Sequence, residues 1–161
     1  MRQQVCWPAT HSQESTMAFK RYADAAWSGD LQTGKGSMST PQSGLFDAQN
    51  YSFKTRFGDE KGTNPEELLA AAHAGCFSMA LSLVLGQAGF VADSIHTRAE
   101  VTMEPGMSPG PTVTGVTLVL SAKVPGIDAA QFQQIAEAAK AGCVISRALA
   151  VPVSLQATLA G

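Results

Sequence analysis

Residues 62–89 read GTNPEELLAAAHAGCFSMALSLVLGQAG, and how this stretch folds decides the architecture of the 161-residue chain. It opens with a helix start: Asn64 suits the cap, Pro65 the first helical position and Glu67 the acid of a capping box. Glu66 and Glu67 fall in the first turn, where the helix dipole favours negative charge. Gly89 supplies a left-handed stop. Between these ends the residues are nearly all apolar, with His73, Ser78, Ser82 and Gln87 as the polar interruptions. A helix apolar all round is a buried one. At about 1.5 Å per residue this one is as long as a small domain is wide. One small domain has trouble enclosing both sides of such a helix, which calls for a second chain. A membrane span competes, since the apolar run is long enough to cross a bilayer. Against it, small residues make up half the run, His73 and the serines dilute it, and no basic or aromatic belt flanks it. The expectation is a central helix in a soluble protein, with Cys76 near its middle.

The length argues for one domain. A net charge of −2 carries no nucleic-acid or membrane footprint. The three cysteines, Cys6, Cys76 and Cys143, are too widely spread for a secreted disulfide framework. With no signal-peptide pattern at the N-terminus, the expected location is the cytoplasm, where cysteines are more often buried, catalytic or redox-active than bridged. Residues 1–16 show neither period and read as a mobile extension or the product of an upstream start codon ahead of Met17, with Cys6 a bystander. Residues 17–161 are expected to form the domain.

Working outward from the helix, residues 51–57 (YSFKTRF) alternate and read as a strand with one polar face, carrying Arg56. Two further strands are expected over residues 18–27 and 31–40, joined at 28–30, with Gly34, Gly36 and Gly44 marking bulges or close backbone approach. Downstream, residues 95–103 and 112–124 alternate as strands around a loop at 105–111. Pro125-Gly126 turns the chain into a second helix, with Asp128 as cap, Gln131 completing a capping box, and Phe132, Ile135, Ala136 and Ala139 facing inward. Gly142 ends that helix, which leaves Cys143 at its terminus. A short turn leads to a last strand with Val151, Val153, Leu155, Ala157 and Leu159 on one face. The fold class is α+β, with antiparallel sheet and segregated helices.

Cys76 leads the candidates for chemistry, although a cysteine in an apolar helix is ordinarily an inert core thiol with a raised pKa. Mid-helix placement denies it the helix dipole, and its helix carries no Lys or Arg. An activating cation must come from elsewhere, and Arg56, Arg98 and Arg147 compete. His73, one turn before Cys76, could make a Cys–His nucleophile, but it reads more simply as a hydrogen-bonded, partly buried histidine. A zinc site of His73, Cys76 and Cys143 lacks a fourth ligand and paired CxxC spacing. A redox reading uses both cysteines: one becomes a sulfenic acid and the other condenses with it. Spacing alone does not show that they meet.

The 62–89 block, together with AAWSGDLQTGKGSMST, YSFKTRFGDEKGTN, VPGIDAAQF and AKAGCVISRAL, resembles the OsmC (osmotically inducible protein C) branch of the OsmC/Ohr thiol peroxidases. The resemblance covers residues 17–161. It implies an intertwined homodimer with long helices packed between two sheets. It also implies a peroxidatic cysteine at Cys76, a resolving cysteine at Cys143, an activating arginine at Arg56 and an acid at Glu66 that orients it. The substrate it implies is an organic hydroperoxide. The reductant is a dithiol, with a dihydrolipoyl group suggested, and no metal or organic cofactor is required. The family usually has Pro after the second cysteine, where this chain has Val144. A reading of another class is a non-catalytic, stress-induced protein that holds an apolar ligand between its helices, with Cys76 as plain core.

Overall fold

The computed structural model describes residues 18–161, so Cys6 and the extension read over residues 1–16 lie outside it. The described residues group into two compact units, one ending at Pro65 and the other spanning Glu66–Gly161.

In the first unit, β1 (Asp24–Ser28), β2 (Lys35–Ser39) and β3 (Gln49–Tyr51) form an antiparallel sheet in the order β1-β2-β3. The first two strands are shorter than the pattern suggests: β1 begins only at Asp24, and β2 begins late because the link before it is structured. The Asp30 carboxylate accepts the N–H groups of Gln32 and Thr33, each at 2.9 Å, which spends residues 30–33 on a turn. Gly36 lies opposite both Trp27 and Tyr51, and a Cβ there would run into the Tyr51 ring. The close approach expected at this glycine is therefore real.

The strand expected over residues 51–57 is not present. β3 ends at Tyr51, and Phe53–Phe57 forms a short helix, α1. The Ser52 hydroxyl accepts the Thr55 N–H at 3.2 Å, and the Ser52 N–H donates to the Thr55 hydroxyl at 2.9 Å. This reciprocal cap decides the conformation. Phe53 and Phe57, which satisfy a two-residue period, are also four apart, and their rings meet at 5.0 Å between centroids on one helical face. Arg56 consequently sits on a helix, with its guanidinium 5.0 Å from the Phe57 ring centre.

The second unit is built on α2 (Pro65–Gln87), and Gly89 takes the left-handed conformation at φ 85° just beyond it. β4 (Ser94–Glu104) and β5 (Thr112–Lys123) pair antiparallel. α3 (Ala129–Gly142) and the short α4 (Val144–Ala148) then carry the chain over to β6 (Val153–Leu159), which pairs parallel with β5. A parallel pair needs such a crossover. On α3 the Asp128 carboxylate caps the Gln131 N–H at 2.8 Å.

One face of this sheet, bearing Ala99, Leu118, Leu120, Ala122, Leu155 and their neighbours, packs into a core with Phe77, Leu81 and Leu85 of α2 and with Phe132, Ala136 and Ala139 of α3. The inward residues expected on α3 and the alternation expected on β4 and β6 are all observed. α2 has a mean hydropathy of 1.9 over its most apolar window, enough in length and composition for a membrane span. It is nevertheless tied into this core: the Ser78 hydroxyl meets Thr97 of β4 at 2.8 Å, and Phe77 and Leu81 are fully buried. Its other side is bare. Ala71, Ala72, Gly75, Ser82 and Gly86 are exposed, and Met79 is 76% exposed.

Candidate active site

Two helices from distant parts of the chain bring Cys76 and Cys143 together. Cys143 ends α3 and begins α4, and its extended backbone (φ −60°, ψ 126°) makes the corner between them. Its N–H donates to the Ala139 carbonyl at 2.9 Å, and its own carbonyl accepts the Arg147 N–H at 3.0 Å. The corner is thus pinned by a hydrogen bond into each helix. The Cys143 thiol, 1% exposed, points at the Cys76 sulfur across 3.3 Å. Both are free thiols, and Cys76 is part-exposed. One sulfur is part-exposed and the other is buried beside it.

The corner also settles what Val144 does to the pose of Cys143. A residue before proline is driven to extended backbone, and Cys143 adopts that conformation without one. Val144 adds an N–H at the first position of α4, a place where proline would otherwise fit.

Burial pushes the Cys76 thiol above the ordinary thiol range, and the second sulfur beside it adds to the rise. The backbone N–H groups of Ile145 and Val144 act in the other direction. The balance disfavours the thiolate, so a cation is needed. The unit Glu66–Gly161 contains four Lys and Arg residues. Arg98 pairs with Glu100 at 3.0 Å, Lys123 with Asp93 at 3.9 Å, and Lys140 with Glu137 at 2.7 Å. Arg98 also alternates with Thr97, whose side chain faces α2, so Arg98 points to the opposite side of the sheet. Arg147 is exposed in the last turn of α4. Of the three arginines weighed, Arg98 is therefore removed as a partner for Cys76. Arg56 belongs to the other unit.

Glu66 stands in the first turn of α2. Ten residues of continuous helix place it about 15 Å along the axis from Cys76, beyond direct contact. His73 is fully buried, its Nε2 is 2.7 Å from the Ser146 hydroxyl on α4, and burial pushes its pKa down. The expected hydrogen bond is present, but the burial is complete where a partly buried ring was expected. Among the described residues no cluster of three His, Cys, Asp or Glu side chains could hold a metal ion, so the zinc arrangement of His73, Cys76 and Cys143 is not assembled. Ser146 and the Val144 and Ile145 amides escape a sequence reading. The signal for Ser146 is a matched spacing: His73 precedes Cys76 by three positions, and Ser146 follows Cys143 by three.

A cavity of about 560 Å³ lies in the first unit, lined by Gln32, Gly36, Gln49, Tyr51, Lys54 and Lys61 among others. It contains neither cysteine.

The family model described as OsmC-like protein matches residues 58–157. The chain is 49% identical to Peroxiredoxin OsmC of Escherichia coli strain K12, an alignment that covers 86% of this chain and 96% of the relative. It is 34% identical to the Organic hydroperoxide resistance protein of Xanthomonas axonopodis pv. citri over 62% of this chain and 68% of that one. The fold matches the crystal structure of the organic hydroperoxide resistance protein OhrB of Bacillus subtilis with a TM-score of 0.67 and 26% identity, covering 85% of this chain and 98% of that chain. The paired thiols thus sit on the fold of known peroxide-handling proteins, and the chain belongs to the OsmC/Ohr family as a cysteine-based peroxidase.

Proposed function

We propose that the chain reduces organic hydroperoxides to alcohols through a Cys76 sulfenic acid and a Cys76–Cys143 disulfide. The observation that carries this reading is the 3.3 Å approach of the two sulfurs from positions 67 residues apart. The name of the Xanthomonas relative, an organic hydroperoxide resistance protein, supports the substrate class. The Cys76 thiolate attacks one peroxide oxygen, the O–O bond breaks, and the departing alkoxide takes a proton to leave as the alcohol. The Cys143 thiol then attacks the Cys76 sulfur. The S–S bond forms, the S–O bond breaks, and the hydroxyl leaves as water with the thiol proton. An external dithiol, such as a dihydrolipoyl group, restores both thiols.

Because burial raises the Cys76 pKa, the thiolate needs a fixed positive charge, and Arg56 takes that role with Glu66 orienting it. The functional unit is a homodimer in the cytoplasm, with the bare face of α2 covered by a second copy. Support for the dimer is the exposed apolar face running past Met79 on a helix whose most apolar window is only 22% buried.

The test is anaerobic reduction, addition of one equivalent of cumene hydroperoxide, and intact mass. Wild type should lose two hydrogens and produce one equivalent of alcohol. Cys143→Ser should instead hold one added oxygen on Cys76 that dimedone traps. Alcohol yield unaffected by Cys76→Ser would overturn the assignment.

A further inference from the structure

His73 and Ser146 join the same two helices as the cysteine pair, and they do so in step with it. On α2, His73 precedes Cys76 by three residues, and around the α3–α4 corner Ser146 follows Cys143 by three. Two bridges result, one turn apart: Nε2 of His73 to the Ser146 hydroxyl at 2.7 Å, and sulfur to sulfur at 3.3 Å. A single contact between a long helix and a five-residue helix leaves the short one free to pivot or slide. Two contacts one turn apart fix its register.

His73 is a costly residue to bury for packing alone. It is 0% exposed, and its Nδ1 has no hydrogen-bond partner among the described residues. An apolar side chain would fill the space without that orphaned nitrogen. With Nε2–H donating to Ser146, Nδ1 carries only a lone pair, which is the less expensive way to leave it unpaired. The gain that accounts for the residue is the bond to α4.

We infer that the His73–Ser146 pair positions Cys143 for attack on the Cys76 sulfenic acid, a role in disulfide closure and not in the reaction with peroxide. The inference rests on the two-cysteine chemistry proposed above. Neither residue touches the reacting atoms; both act through the placement of α4. Closure forms the S–S bond along a line set by α4, and an ångström of misplacement in such a step costs about a hundredfold in the limit. The attack of Cys76 on peroxide depends on α2 and on the exposed part of the thiol; α4 touches it only through the Val144 and Ile145 amides, a smaller effect than the alignment that closure needs.

Single-turnover kinetics on the full chain separate the two steps, with dimedone trapping read by mass. In Ser146→Ala, sulfenic acid should form at a rate within about twofold of wild type, while disulfide closure slows by at least about tenfold. Ser146→Thr, which keeps the hydroxyl, should restore closure. The double variant His73→Leu/Ser146→Ala leaves no buried polar atom unpaired, so its thermal stability should return to or above that of wild type while closure stays slow. A merely structural pair would show closure recovering along with stability. Closure at the wild-type rate in a folded Ser146→Ala, or both steps slowing by the same factor, overturns the inference. If wild type itself forms no sulfenic acid or disulfide, it is the two-cysteine reading that fails.

Discussion

The two faces of α2 both lack charge beyond its first turn, yet they meet different fates. One face, His73, Phe77, Ala80, Leu81 and Leu85, is buried by the chain's own sheet and helices. The other, Ala71, Gly75, Met79, Ser82 and Gly86, stays open. Cys76 lies on the seam, part-exposed, with the buried Cys143 beside it. Apolarity alone says that a helix wants burial; it does not say what buries it. The covered face carries the large side chains that fill a core, and the open face is mostly Ala, Gly and Ser, which let another backbone come close.

The contrast predicts unequal mutational costs. Phe77→Ala should destabilise the protein by about 3–5 kcal/mol in urea denaturation, the range for emptying a fully buried aromatic site. Met79→Ala should cost within about 0.5 kcal/mol under conditions where the chain is monomeric, as for an exposed position. Under the proposed dimer, its cost should grow with protein concentration. Equal costs at both positions and at all concentrations would erase the distinction between the faces.

The proposed activation by Arg56 gives the next largest effect. Arg56→Ala should lower the peroxidase rate at least about a hundredfold, the scale of losing one preorganised electrostatic donor, and Glu66→Ala should cost less. Since Glu66 stands about 15 Å along its own helix from Cys76, we predict that each site draws on both copies. Mixing inactive Cys76→Ser chains with chains disabled at Glu66 should then recover activity. Mixed dimers confirmed by mass but no more active than either parent would show that each chain serves itself.

A smaller effect is expected in substrate choice. Of the apolar neighbours of Cys76, Phe77 and Ala80 are spent in the core, whereas Ala72 and Met79 remain open. Burying three or four CH₂ groups there is worth about 3 kcal/mol at most. Cumene or tert-butyl hydroperoxide should therefore exceed hydrogen peroxide in kcat/KM by at least about tenfold. Matching values would mean that the open side offers no alkyl contact.

The smallest effect concerns Val144. Its N–H lowers the Cys76 pKa, and the extended backbone of Cys143 already suits a following proline. Val144→Pro should fold normally and move the midpoint of Cys76 alkylation to higher pH. At neutral pH this reduces labelling. An unchanged or lowered midpoint would show that the amide does not act on the thiolate.

Much of this arrangement is legible in the residues, for identifiable reasons. α2 announces its ends through Asn64-Pro65 and Gly89, and β4, β6 and α3 carry clean periods over seven or more residues. α1 is misread because Phe53 and Phe57 satisfy both a two-residue and a four-residue spacing, and the Ser52–Thr55 reciprocal cap breaks the tie. α4 is missed because five residues hold little more than one turn, and Cys143 caps it without a side-chain bond. Cys76 and Cys143 stand out individually as cysteines at a helix middle and a helix end. Their meeting is a tertiary fact, set by how α3 and α4 cross back over the sheet, and the His73–Ser146 bridge is hidden for the same reason.

The most direct measurement is peptide mapping of the protein after one equivalent of organic hydroperoxide, with free thiols alkylated before digestion. The account predicts a single dominant disulfide linking the Cys76 and Cys143 peptides, with Cys6 alkylated. Cys76 bonded mainly to Cys6, with Cys143 recovered as a free thiol, would contradict it.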